Sequence, residues 1–357
     1  MNIGILAQLK QNCITGINRV TIGTMSEMQL LDKSNSYSWI GRCDWLGLNL
    51  PVIDALFASN ERINLNLPVD IYDLDIVHSH SRPFYIHSKC NCAKIITIHD
   101  MIPLMFPEWK NNQKAYYDGP IRKTVEEADI VIAVSESTKK DVVHCFGVNP
   151  EKVKVVYNGL FSDMSSGCTL QEVVELKGKR FILSVSAIGA NKNQMGLIEA
   201  FVRYKEQHKE DDLKLVLTGP IRQYEVVRDY QKKYPKSSAD IIFTGFVSDA
   251  ELNWLYKNAL AFAMVSFYEG FGLPILEALS VGTPVISSDT SSMPEVGGDA
   301  CVYCNPYEVE SIEAAIDKIV NKEDLRELLK KNAGKQAEKF SYKKAAKETL
   351  DIYSMFE

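Results

Sequence analysis

Short apolar runs rich in Val and Ile recur along the whole chain, and longer helical patterns separate them. The runs are Ile3–Ala7, Ile76–Ser79, Lys94–Ile98, Ile130–Val134, Val153–Val156, Phe181–Ser186, Lys214–Gly219, Ile241–Thr244, Ala261–Val265, Pro284–Ser287 and Ala300–Tyr303. Several do not alternate apolar with polar residues, the pattern of a strand covered by helices on both faces. Helical patterns occupy Ile121–Ala128, Ser137–Phe146, Gln194–Gln207, Tyr224–Tyr234, Asp249–Ala259, Leu276–Ser280 and Val309–Asn321. This alternation predicts parallel βαβ units. So many strands overfill one sheet, and a length of 357 residues suits about two domains. The expected fold class is α/β, with two doubly wound sheets.

The division is expected near Asn158–Gly167, where Asn158-Gly159 and Ser165-Ser166-Gly167 supply turn chemistry after a strand. That places one Rossmann-like domain over 1–165 and a second over 166–340. Ser341–Phe356 is amphipathic, with Ala345, Leu350 and Tyr353 among its apolar positions. Asp32–Pro68 has no clear period and yields no predicted element.

Several function classes lose support at once. The net charge is −6 and neither half is basic, so no stretch is suited to track a nucleic-acid backbone. The first residues lack a basic leader and read directly as a strand, so no export signal is expected. No run reaches 18 apolar residues, and a cytoplasmic location is expected. In that compartment the scattered cysteines stay reduced. Cys90-Asn91-Cys92 and Cys301-Val302-Tyr303-Cys304 have no companion ligand pair, and they read as small buried hydrophobes. Alternation along Ala300–Tyr303 turns its thiols to different faces. Asp73-Leu74-Asp75 abuts a buried strand and reads as the entry to it rather than as a metal site. In His78-Ser79-His80 the spacing along a strand does not by itself bring two imidazoles onto a metal, and at most one is expected to reach a cleft. No G-x-G-x-x-G follows the first strand, and no P-loop or G-x-S-x-G is present.

Two segments carry chemistry. His99-Asp100 follows the run Lys94–Ile98, at the C-terminal edge of a parallel sheet, where open α/β folds bind ligands. Phe267-Tyr268-Glu269-Gly270-Phe271-Gly272-Leu273-Pro274-Ile275-Leu276-Glu277-Ala278 follows the apolar run Ala261–Val265 and leads into a helix. Gly270 and Gly272 permit close approach of backbone to a ligand, and Pro274 suits a first helical turn. The unpaired N–H groups of such a helix start suit a diphosphate. Glu269 precedes this site in the loop, and Glu277 is expected on the first turn of the helix. Both can accept hydrogen bonds from hydroxyls flanking the phosphates.

The segment resembles the E-x(7)-E signature of the retaining glycosyltransferase family 4, whose fold is called GT-B. Ala278-Leu279-Ser280-Val281-Gly282-Thr283-Pro284-Val285-Ile286, Met293-Pro294-Glu295-Val296-Gly297-Gly298, Val134-Ser135-Glu136-Ser137, Gly245-Phe246-Val247-Ser248-Asp249 and Phe340-Ser341-Tyr342 match as well. Before Ile76 the resemblance rests on the first strand and Gly16-Ile17-Asn18-Arg19-Val20. It implies two doubly wound domains facing across a cleft, with the last helix, 341–357, packing back on the first. It also implies transfer of a sugar from a UDP- or GDP-sugar, with retention of configuration, to a glycan or lipid-linked acceptor. Cell-surface polysaccharide synthesis and peripheral contact with the inner face of the cell membrane follow from the same resemblance.

By that resemblance Glu269 meets the donor sugar hydroxyls, Glu277 the ribose, and the N–H groups of Gly272 and Leu273 the diphosphate or sugar. Lys192 matches the family lysine on the diphosphate, and His99 lies near the anomeric centre. Gly16, Asn193, Val247, Gly270 and Phe271 complete the implied donor-binding set. No metal and no cofactor are expected. The chain departs from the family in Ser186–Asn191, where an arginine is often found; Arg19 or Arg222 are candidate substitutes. That departure favours a catalytically weak or inactive binding protein as the alternative. A nucleotide-sugar epimerase on the same architecture finds no support in these motifs.

Overall fold

The computed structural model describes residues 1–6, 16–41, 63–64, 74–80, 91–109, 111–160, 176–187, 189–209, 212–220, 230 and 232–357. Asp73, Cys90, Ser165, Ser166, Gly167 and Arg222 lie outside them, as does most of the helix expected over Tyr224–Tyr234. The chain divides into two compact units, Met1–Phe161 with Phe340–Glu357, and Ser162–Lys339.

The first unit holds a parallel sheet of seven strands: β1 (Asn2–Leu6), β2 (Ser36–Gly41), β3 (Ile63–Asn64), β4 (Ile76–His80), β5 (Ala93–Ile98), β6 (Ile130–Ala133) and β7 (Val153–Val155). Their order is β3-β2-β1-β4-β5-β6-β7. Every residue of β4 and β6 is buried, which is why these runs do not alternate. β2 and β3, in the segment without a clear period, lie at one edge of the sheet. Ser36-Tyr37-Ser38-Trp39 alternates polar with apolar residues, a weaker signal than the continuous runs of the central strands.

The second unit holds six parallel strands: β8 (Phe181–Val185), β9 (Lys214–Thr218), β10 (Ile241–Gly245), β11 (Ala261–Met264), β12 (Val285–Ser288) and β13 (Cys301–Cys304), in the order β10-β9-β8-β11-β12-β13. In both sheets the order reverses beside the first strand, between β1 and β4 and between β8 and β11. Crossovers leave such a point in opposite directions and open a crevice at the C-terminal strand ends. Helices without a sequence prediction include Gly16–Leu31 and Glu323–Ala337.

The last helix, Tyr342–Tyr353, belongs to the first unit. Its Ala345, Ala346, Ile352 and Tyr353 share a core with Ile3, Ile5, Met25 and Met28. Gly159 makes this docking feasible, because a Cβ there would collide with the backbone of Ser341 and Tyr342. Leu160 and Ser341 form a parallel bridge beside it. Gly159→Ala is therefore expected to cost about 1–3 kcal/mol through overpacking against a backbone that cannot yield. Gly334→Ala is the comparison, since a Cβ there meets nothing within 4 Å and a helix interior favours alanine. Denaturant melts showing equal effects of the two substitutions would remove the close approach as the reason for this glycine.

Candidate active site

The crevice between β8 and β11 gathers most of the residues singled out in the sequence. Lys192 ends a single 3-10 turn, Ala190–Lys192, after β8. Its ammonium lies 2.6 and 2.8 Å from the two carboxylate oxygens of Glu269, which follows β11. Glu269 is 8% exposed, so the pair is sheltered on the carboxylate side. A sheltered ion pair of this kind is a polar fixture aimed at charge, because moving either partner alone strands the other.

Asn193 holds the Lys192 turn in place. It adopts a left-handed backbone, φ 53°, and its amide nitrogen donates to the carbonyls of Val265 (3.1 Å) and Pro306 (2.7 Å). The N–H of Phe267 donates to the carbonyl of Asn191 at 3.0 Å, tying the loop after β11 to the loop after β8. Four hydroxyls that the motif analysis passed over fix the Glu269 loop from the other side. Ser288 Oγ donates to the carbonyl of Ser266, Thr290 Oγ1 to that of Phe267, and Ser292 Oγ to those of Glu269 and Phe271. Ser291 Oγ accepts from the N–H of Glu269 at 3.0 Å. The signal available in the sequence was the hydroxyl-rich run Ser287–Ser292 directly after β12's apolar start.

Gly272 has φ 104° and leads into the helix Leu273–Ser280, with Pro274 in its first turn. The helix starts three residues before the expected Leu276, so Glu277 stands on its second turn rather than its first. Leu273 and Pro274 form the opening turn because the positive φ of Gly272 lets the chain reverse there. No acceptor is found for the N–H groups of Gly272 or Leu273 among the described residues, while the N–H groups of Ile275 and Leu276 close on the Gly272 carbonyl. Glu277 Oε2 accepts from Tyr256 Oη at 2.8 Å. Tyr256 is wholly buried in the helix Asp249–Asn258, and its carbonyl accepts from Thr283 Oγ1. It therefore aims Glu277, and spacing along the chain could not have revealed it. Gly270, Phe271 and Val247 are buried, with Val247 two residues after the end of β10 and directly before the Ser248 capping box.

Gly16 and His99 stand on the first unit. Gly16 opens the helix Gly16–Leu31 and is exposed, and Arg19 is half-buried one turn later. His99 lies beyond the end of β5 and is 7% exposed, with Nε2 buried and unpartnered. Burial lowers its pKa from 6.5 to about 4, so the imidazole is neutral at pH 7. The rings of His78 and His80 stack at 4.5 Å. Residues two apart on a strand share a face.

The remaining sequence candidates are occupied structurally. Asp75 accepts from the N–H of Asn2 at 2.7 Å and its own N–H donates to the Asn2 carbonyl, joining β1 to the entry of β4. Burial pushes the thiols of Cys301 and Cys304 up to about 12, which keeps them protonated and unsuited to metal or redox work. No group of three or more His, Cys, Asp or Glu among the described residues is placed to hold a metal ion. No helix among them is long and apolar enough to cross a membrane.

Two family signatures match the chain: "Glycosyl transferases group 1" over residues 169–336 and "Glycosyltransferase Family 4" over residues 49–161. Together they cover most of both units. The chain belongs to the group 1 glycosyltransferases.

Relatives of this glycosyltransferase include the O-antigen chain mannosyltransferase B of Escherichia coli, 26% identical over 77% of this chain and 74% of that protein. The serotype-specific mannosyltransferase WbdA of Escherichia coli is 28% identical over 82% of this chain but only 37% of its own length. The solved structure of Anabaena Alr3699/HepE in complex with UDP and glucose superposes with a TM-score of 0.72 at 16% identity, covering 99% of this chain and all of that one. WaaG, a glycosyltransferase involved in lipopolysaccharide biosynthesis, gives a TM-score of 0.70 at 15% identity, with 99% of each chain covered. These likenesses establish the two-domain GT-B fold.

Proposed function

We propose that this glycosyltransferase moves a sugar, with retention of configuration, from a nucleotide-sugar donor to a glycan or lipid-linked acceptor in cell-surface polysaccharide synthesis. The observation that carries the reading is the Lys192–Glu269 pair beside the open N–H groups of Gly272 and Leu273, at the switch point of the second sheet. A nucleoside diphosphate gathers negative charge as the bond to the sugar breaks. Lys192 and the positive end of the Leu273–Ser280 helix are positioned to stabilise it. Glu269 accepts from sugar hydroxyls and Glu277 from the ribose, while Asn193 supports the Lys192 turn. Gly270, Phe271 and Val247 shape the backbone around the donor, and Gly16 is a further donor-binding residue in this reading.

No catalytic metal or cofactor is part of the reading, since one cation and a helix terminus suffice in outline for the charge that develops. Mannosyl transfer in O-antigen synthesis by the relatives puts mannose-bearing donors first in any trial. A panel of UDP- and GDP-sugars, with chelator present and absent, tests donor and metal together. The anomeric configuration of the product, read by NMR, tests retention. Epimerised sugar or tight binding without hydrolysis or transfer across the panel would replace the proposal. Binding to vesicles that carry a lipid-linked acceptor tests the location at the cytoplasmic face of the membrane.

Glu277→Ala is expected to weaken free nucleoside diphosphate binding by about 1–3 kcal/mol, the scale of a lost charged hydrogen bond. Glu269→Ala should spare the free nucleotide and weaken the nucleotide sugar. Calorimetry giving equal losses for both ligands in both variants would sink the division of labour. His99→Ala should cut transfer strongly while nucleoside diphosphate affinity stays within about twofold, ~0.4 kcal/mol. A large drop in melting temperature with turnover preserved in the folded fraction would make His99 a structural histidine.

A further inference from the structure

Among the described residues, two that are not glycine adopt a left-handed backbone, Asn193 with φ 53° and Ser291 with φ 50°. Each is tied to one partner of the Lys192–Glu269 pair. Asn193 follows Lys192 directly, and its side-chain amide donates to the carbonyls of Val265 and Pro306. Ser291 lies in the loop after β12, and its Oγ accepts from the N–H of Glu269 at 3.0 Å. The next residue, Ser292, donates from its Oγ to the carbonyl of Glu269 at 2.9 Å. Consecutive serines thus hold the N–H and the carbonyl of Glu269, while its carboxylate meets Lys192 at 2.6 and 2.8 Å.

The two left-handed positions are not equivalent. Asparagine tolerates that region better than most residues, because its short polar side chain can bond locally. Serine has less of that tolerance, and its Cβ makes the conformation unfavourable. Glycine reaches such angles freely, as Gly298 does with φ 50°. A turn that needed its shape alone would be met by glycine, so the side chain at 291 supplies something glycine lacks. The one hydrogen bond found for Ser291 Oγ among the described residues is that from Glu269. Strained backbone that persists in a fold clusters where geometry serves function.

We propose that Ser291 is a positioning residue for Glu269, and that a strained serine is kept here because this backbone carries Oγ to the Glu269 N–H. With N–H and carbonyl both held, Glu269 presents its carboxylate to Lys192 and to the donor sugar in one orientation. The inference rests on the reading of Glu269 as the residue that bonds the donor sugar.

The test compares Ser291→Gly, which removes Oγ and relieves the backbone, with Ser291→Ala, which removes Oγ and keeps the strain. Ser291→Gly should melt above Ser291→Ala, since alanine at positive φ is destabilising. Both should lose kcat by at least about fivefold, the sign of a misplaced group. A serine with a structural role alone would give a different pattern, with activity following stability. By calorimetry, UDP and GDP should bind both variants within about twofold of the parent chain. The UDP- or GDP-sugar that the panel identifies should bind at least about threefold more weakly, as expected for a loosened hydrogen bond. Adding Ser291→Gly to Glu269→Ala should cause no further loss of kcat, because a residue that acts through Glu269 then has nothing to position. Full turnover in Ser291→Gly, additive losses in the double variant, or Ser291→Gly melting below Ser291→Ala would overturn the proposal. Nucleotide-sugar binding left intact by Glu269→Ala would overturn the reading of Glu269 and the proposal with it. Binding weakened there but intact in Ser291→Gly would overturn the positioning role alone.

Discussion

Replacing Lys192 with alanine is expected to lower turnover at least about 100-fold, the scale seen when one preorganised group facing developing charge is removed. The donor diphosphate is less charged in the ground state than as the leaving group, so a cation there lowers the barrier more than it tightens binding. The sequence offers no arginine in the Ser186–Asn191 loop to share this work. Lys192 also neutralises Glu269 from both carboxylate oxygens, and the alanine variant strands a carboxylate that is 8% exposed. The double variant Lys192→Ala/Glu269→Gln separates the two consequences. It relieves the stranded charge, so melting temperature should recover while turnover stays low. Unchanged turnover of Lys192→Ala with only a raised donor KM would show that the lysine binds and does not stabilise the transition state.

The second large effect is on stability in acid. Burial lowers the pKa of His78 to about 3 and that of His99 to about 4, and it lowers that of His80 well below its usual 6.5. Burial is the main cause for all three; beyond it, a charge on His99 opposes protonation of His78 and His80, and a charge on His78 opposes that of His80. Among the described residues, Tyr353 and Thr97 hydrogen-bond to this histidine row and its rings contact one another, and no carboxylate is found hydrogen-bonded to any of the three. The folded-state values are depressed, so below pH 6.5 the unfolded chain binds more protons than the folded one. The stability is fully present above pH 6.5 and falls as pH drops from there toward about 4. Each histidine contributes a slope approaching ~1.4 kcal/mol per pH unit, and all three together about 4 kcal/mol per unit. Urea melts at intervals between pH 7.5 and 5 read this slope directly. A free energy of unfolding that is flat across that range would refute the neutral, buried row. His80→Phe should remove about a third of the slope.

Both expectations join residues that are far apart in the chain, and this marks how much the amino-acid order could say. Local order was sufficient for the βαβ rhythm, because a strand covered on both faces must be apolar throughout and a helix must repeat at its own period. It was also sufficient for the Glu269–Glu277 segment, where glycine, proline and carboxylates sit within one loop and one helix, and for the relation of that segment to the glycosyltransferases. Even there, the first turn of the helix was placed three residues late, since nothing in Leu273-Pro274 announces a positive φ at Gly272 except the glycine itself. Tertiary structure alone decided which partners the site residues meet. Lys192 and Glu269 are 77 positions apart and are joined because β8 and β11 are neighbours in the sheet. Tyr256 reaches Glu277 across two helices, and four hydroxyls from the last residue of β12 onward brace a loop after β11. The histidine row draws on β4, the end of β5 and the last helix, with His78 and Tyr353 separated by 275 positions. Periodicity is written residue by residue into a chain, whereas strand order, and with it every contact across strand ends, is set by which apolar faces can be buried together.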